Sequence, residues 1–333
     1  MDHQRRTFYE MRQKILEGRE LEGMVFEMIH DELDTAVKNY LDGRYARRCI
    51  ADWVSTNLQT PVRNDQIHAD TPEDMPSLEA DLRERAKSEA YETISVTLPE
   101  YMEDIDDPKR WDFRGLSGWA MSRFNVNLSQ NQLRKMNPRD IEEALGAAAA
   151  ERIDEIDLFP LVSMLDPDFA REALAEWARN KFDVEISADE LSDPTGEDDR
   201  VVARKVLGEK VKAVYDRREV EYPVEHAIEL TVAHAGTENV YAVERLVSWA
   251  NQKYEANLRV EDVQGQSLGD VHRRLLGLSE TWLRGEKLES TVRDRLGVQP
   301  TVEAGIALAR ERFDTELTPE NFNSDIIGRV VQA

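Results

Sequence analysis

Few residues in this 333-residue chain have the types and spacing that chemistry needs. Glu27 and His30 share one side of a helix at i and i+3, a spacing that can offer a metal two ligands. Two more would have to come from another element, and none is indicated. Glu225, His226, Glu229 and His234 form a second loose group. His226 and His234 are eight residues apart, near two turns but about 80° out of line. The runs Asp104-Ile105-Asp106-Asp107 and Glu197-Asp198-Asp199 concentrate carboxylates without the spacing of a calcium loop. With 67 Asp and Glu in the chain, acidic linkers are the simpler reading. Cys49 has no second thiol for a disulfide or a zinc site. Its place among Ala46, Ile50 and Trp53 predicts a small buried hydrophobe. There is no G-x-x-x-x-G-K-[ST] phosphate cradle and no G-x-S-x-G nucleophile turn. The sequence therefore names no catalytic, cofactor-binding or metal residue.

The elements that would carry any site are helical. Leu21, Met24, Val25, Met28, Ile29, Leu33, Val37, Tyr40 and Leu41 recur at three- and four-residue steps. That predicts one helix ending near Asp42-Gly43, a sensible C-cap. Phe8, Met11 and Ile15 mark an earlier helix that stops at Gly18. Asn137-Pro138 opens another, with Ile141, Ala144, Leu145, Ala148 and Ala149 on its apolar face. A long helix is predicted from about Asp198 to Tyr222, where Pro223 stops it or starts the next. Asn125–Leu128 and Asp183–Ile186 read as short extended links. The formal net charge of −24 argues against nucleic acid and against anionic lipid as direct partners. It suits solubility and a preference for basic partner segments. No apolar run approaches the roughly 20 residues of a membrane span, and no signal peptide opens the chain. A lone cysteine suits a reducing cytoplasm.

An internal repeat is the most informative feature. Trp119 is followed by Phe124 at +5, Leu128 at +9 and Leu133 at +14. Trp177 is followed by Phe182, Ile186 and Leu191 at the same offsets, and Trp249 by Tyr254, Leu258 and Val263. Trp53 gives Leu58, Val62 and Ile67. The last copy replaces Trp with Leu308, followed by Phe313, Leu317 and Phe322. The anchors lie 58 to 72 residues apart. Each offset series predicts a helix ending at the Trp and the aromatic, a short extended link, and a small helix. Ser129-x-x-Gln132 and Ser187-x-x-Glu190 are capping boxes for that small helix, and Thr318-Pro319 starts it in the last copy. The anchors Trp53, Leu58, Trp119, Phe124, Trp177, Phe182, Trp249, Tyr254, Leu308 and Phe313 are read as core-closing residues. The fold class expected is all-α: the end of a long helix, then about five helical mini-bundle units in an extended array. Loops at 60–77, 99–110, 192–199, 235–238 and 297–300 set the divisions: 1–18, 19–98, 99–165, 166–234, 235–297 and a partial unit at 298–333.

The opening MDHQRRTFYEMRQKILEG, through Met1, Gln4, Arg5, Tyr9, Arg12, Leu16 and Glu17, resembles the end of the central scaffold helix of SecA preprotein translocases. EGMVFEMIHDELDTAVKNYL resembles the first helix of the SecA helical wing. LEADLRERAKSEAYETI, with Leu82, Arg83 and Arg85, resembles the helix that closes it. Val220-Glu221-Tyr222-Pro223-Val224 resembles forms of SecA in which wing-type units are multiplied. Ordinary SecA has one short wing, against about five unit-like segments here. The resemblance implies a non-catalytic helical part of an ATP-driven export motor, scaffold and wing, bordering the clamp for unfolded preprotein. It implies that ATP and magnesium belong to motor domains outside this chain. The implied partners are the rest of the motor, preprotein and the membrane channel. The implied location is cytoplasmic, with the whole protein peripheral at the inner face of the membrane. The residues alone leave a second reading open, a stand-alone helical-repeat scaffold that binds protein partners.

Overall fold

The computed structural model describes residues 21–102, 110–192, 198–284, 287–297, 300–313, 315, 317–322 and 326–332. The expected helix at 1–18, most of the acidic linker at 99–110 and residues 193–197 lie outside them. Among the described residues there are 15 α-helices and no strand. Met102 and Trp111 form an isolated antiparallel bridge. The class is all-α, as the three- and four-residue periodicity predicts.

Contacts gather the chain into two compact units. The first, here the N-unit, is Thr35–Lys181 with Glu185–Arg204. The second, the C-unit, is Met1–Asp34, Phe182–Val184 and Lys205–Ala333.

Helix α1, Leu21–Tyr40, buries Leu33, Ala36 and Val37. Toward its start the same apolar stripe is open to solvent, with Met28 56% exposed. In the N-unit, α2 is Tyr45–Asn57 and α3 is Met75–Thr97. Helix α4, Phe113–Phe124, and the single turn α5, Gln130–Leu133, precede α6, Pro138–Glu155. Asn137 caps α6 by accepting from the Asp140 N–H at 2.9 Å, so Pro138 sits where its missing N–H costs nothing. The most extensive helix pairing joins α3 to α6. Leu82, Ala86, Ala90 and Ile94 form a four-residue ridge, met by Leu145, Ala149 and Ile153. The alanines let the two backbones approach closely. Gly146 belongs to that seam, because a Cβ there would stand 2.1 Å from the Tyr91 ring. Arg83 fastens the end of α6 by donating to the carbonyl oxygens of Ile153 and Ile156. The unit is completed by α7, Pro160–Met164, and α8, Phe169–Phe182.

Cys49 is half-buried rather than buried. It lies one turn along α2 from Tyr45, and burial pushes both groups' pKa values up.

The long helix α9 runs Asp199–Glu229, past the break expected at Pro223. Val224 and Ala227 continue the buried face beyond the proline and join the C-unit core, so packing outweighs the lost hydrogen bond. Helix α12, Leu268–Arg284, supplies donors along the turns leading into the proline. Ser279 Oγ donates to the Val220 carbonyl at 2.9 Å and Arg284 to that of Asp216 at 3.1 Å. The short α10, Val232–Ala235, and α11, Val240–Tyr254, follow α9. Val243, Leu246, Ala250, Val271 and Leu275 fill the core. A smaller cluster of Val292, Leu308 and Val330 joins α13, Lys287–Leu296, α14, Val302–Phe313, and α15, Ile326–Gln332.

Within the C-unit, Phe26 of α1 meets Tyr215 of α9 with ring centroids 4.8 Å apart. Loss of hydration beside these rings raises the Glu219 pKa, and the charges of Glu22 and Asp216 add to it against Lys212 and Arg284. A carboxylate whose folded pKa is raised destabilises the fold above that pKa, and the cost disappears as pH falls through it. Glu219→Gln is therefore expected to raise the C-unit melting temperature slightly at pH 8. The gain should vanish toward the ordinary carboxylate range near ~4.3. Solvent access keeps the effect small, and thermal melts of both proteins across that pH range check it.

Candidate functional site

The recurring feature of this molecule is a chain reversal, built four times over among the described residues. Among the described residues, four non-glycine positions have positive φ: Gln59 at 52°, Asn125 at 56°, Asp183 at 56° and Glu255 at 47°. Each stands six residues after a tryptophan anchor: Trp53, Trp119, Trp177 and Trp249. The helix carrying the anchor thus ends in a left-handed residue, the usual way to turn a chain out of a helix. A side chain there costs about 1–2 kcal/mol relative to glycine, least for Asn and Asp. Three of the four find an arginine: Gln59 accepts from Arg123, Asp183 from Arg218 at 3.2 Å and Glu255 from Arg295 at 3.1 Å.

After the reversal comes an extended link and a second recurrence. The side chain thirteen residues past the anchor accepts the backbone N–H three residues before it. The pairs are Gln66 with Arg63 at 2.9 Å, Gln132 with Ser129 at 2.9 Å and Glu190 with Ser187 at 3.0 Å. Asp262 with Arg259 at 2.9 Å and Asn321 with Thr318 at 2.7 Å complete the set. This is the backward half of a capping box. It forms even where Arg63 and Arg259, which cannot accept, stand in place of Ser or Thr. Residue +14 then points inward: Ile67, Leu133, Leu191 and Val263 are all buried.

The tryptophan anchors lie at the margins of the cores, whereas Leu58, Tyr254 and Leu308 are buried. Trp53, Trp119 and Phe124 are half-buried against the N-unit core, while Leu58 is buried. Trp119 meets Phe124 edge to face at 5.3 Å and 89°, and Trp249 meets Tyr254 the same way at 5.4 Å and 85°. Both arrangements suit the ring quadrupoles. Trp177 is half-buried with Tyr40 at 6.5 Å, Phe182 is half-buried, and Leu308 is buried. Phe313 ends α14, and its side chain lies outside the described set. Gln132→Ala is expected to cost the N-unit about 1 kcal/mol, the usual worth of a cap. Urea unfolding followed by circular dichroism checks it.

Between the first two reversals the N-unit holds an open pocket of about 300 Å³, floored by Ala86, Ala90 and Ala149 and rimmed by Glu89, Arg123 and Arg152. Among the described residues, no group of three or more His, Cys, Asp or Glu is placed to hold a metal ion. His30 Nδ1 lies 2.6 Å from the Phe26 carbonyl of its own helix. Asp104–Asp107 and Glu197 lie outside the described residues. No described helix is long and apolar enough to cross a membrane.

No family model matches the chain. Protein translocase subunit SecA 1 of Rhodopirellula baltica is 28% identical over 265 residues, which is 79% of this chain and 21% of the relative. Protein translocase subunit SecA of Rhodococcus opacus is 26% identical over 185 residues, 55% of this chain and 17% of the relative. No solved structure matches. The chain is SecA-like, and the match spans about a fifth of the length of these relatives.

Proposed function

We propose that this chain is the non-catalytic helical part of a SecA-type, ATP-driven preprotein translocase, its scaffold and wing, bordering the clamp through which unfolded preprotein passes. The observation that carries this reading is the 28% identity to a SecA subunit over 79% of the chain. The all-helical build supports it, since a wing wall works by shape and surface rather than by an active site. ATP and magnesium would be handled by motor domains of the whole protein. Those domains, the preprotein and the membrane channel are the partners, at the inner face of the membrane. The repeated reversal supports multiplied wing-type units as the division of the chain.

Photo-crosslinking of the purified chain to an unfolded, signal-bearing polypeptide tests the clamp role. Crosslinks above those of an unrelated helical protein of equal net charge are expected. Yields no higher than that control would remove the role. The alternative, a helical-repeat scaffold independent of any motor, draws on the same five turns. It would gain if the chain bound folded protein partners and ignored unfolded ones.

A further inference from the structure

The far end of α9 presents a surface that the proposed wing role does not use. At 100° per residue, Val220, Val224 and Ala227 lie on one side of the helix and are buried. The opposite side carries two parallel rows. One is Tyr222 and His226, continued by Leu230 just past the helix end, with Tyr222 64% and Leu230 60% exposed. The Tyr222 and His226 rings lie nearly parallel, centroids 5.9 Å apart at 6°, and form a flat ledge. The other row is Glu225 and Glu229. Glu229 pairs with no cation among the described residues, and Glu225 has only Arg218 at 3.9 Å.

A single exposed Leu or Tyr needs no explanation. An aromatic–aliphatic ledge beside an acidic row, in which Glu229 has no paired cation among the described residues and Glu225 only the long contact to Arg218, does. We propose that this face docks a helix of a partner protein bearing an apolar row beside a row of lysine or arginine. Rows at i, i+4 and i+8 are the ridges that another helix's grooves accept. The carboxylate row sets the sign of the partner's charge, and the net charge of −24 draws such a partner in from a distance. A second copy of this chain carries the same negative charge and the same acidic row, so it is disfavoured as the occupant.

The test uses the full chain, isotope-labelled, and a designed helical peptide with leucine at i, i+4 and i+8 flanked by lysines. Amide shifts confined to residues 218–234 are expected. Glu229→Lys should weaken binding about tenfold, while Glu151→Lys, on exposed α6 surface, should leave it unchanged. Both variants alter exposed side chains, and circular dichroism confirms that they fold. Three results would each overturn the proposal: shifts spread over the acidic surface, equal binding by a peptide with serine in place of leucine, or peptide-free dimerisation through these residues.

Discussion

Leu133→Ala is expected to destabilise the N-unit by about 2–5 kcal/mol, a large share of what a domain of this size holds in reserve. Leu133 is fully buried and follows directly on the turn that Gln132 caps. Its backbone is therefore pinned, and the side chain cannot shift to fill the space left by three lost carbons. That is the condition under which a cavity keeps its full cost. Leu133→Met, which preserves volume, should cost less than about 1.5 kcal/mol. Leu128→Ala should also cost less, since Leu128 is only half-buried. Urea midpoints by circular dichroism compare the three. A loss below about 1 kcal/mol for Leu133→Ala would show that residue +14 does not seal its module.

Tyr254 gives the second large effect, and its two substitutions should have opposite signs. The ring is 1% exposed and meets Trp249 edge to face, so Tyr254→Ala should cost the C-unit about 3–5 kcal/mol. The hydroxyl is buried without a hydrogen-bond partner. Burial raises its pKa, and the nearby Ser279 hydroxyl only partly opposes this while donating to Val220 instead. Tyr254→Phe keeps the ring and removes the unsatisfied group, so a gain of up to about 1 kcal/mol is expected. Tryptophan fluorescence during urea unfolding reads both. A loss for Tyr254→Phe would mean that the hydroxyl is bonded in solution.

The helical class and the anchor series were legible because their signals are local. Three- and four-residue periodicity survives in the sequence whatever packs against it. Asn137-Pro138 is a start signal whose geometry is set within four residues, and the structure shows the cap. Pro223 misled because its meaning depends on tertiary packing: the helix continues where buried Val224 and Ala227 outweigh one missing bond. The left-handed residues escaped notice because no glycine marks them. A polar residue at +6 in every copy, Gln59, Asn125, Asp183, Glu255 and Asp314, was the available signal. The caps at Gln66 and Asp262 were missed for a related reason. Arg63 and Arg259 disguise the motif at its first position, while the acceptor three residues later is present throughout. Half-burial of Cys49 reflects how far neighbouring elements cover its side of α2, which spacing alone does not fix. The ledge on α9 has no sequence signature, because exposure is a property of what fails to cover a helix.

The backward cap asks only for an oxygen at the end of a short stem, and the chain fills that post with Gln, Gln, Glu, Asp and Asn in turn. Amide and carboxylate hold the same turn, yet they differ by a full unit of charge. Exchanges at this post can therefore drift the isoelectric point of the protein over generations while the backbone stays in place. The ionic character of the surface and the architecture beneath it are separately adjustable in such a molecule.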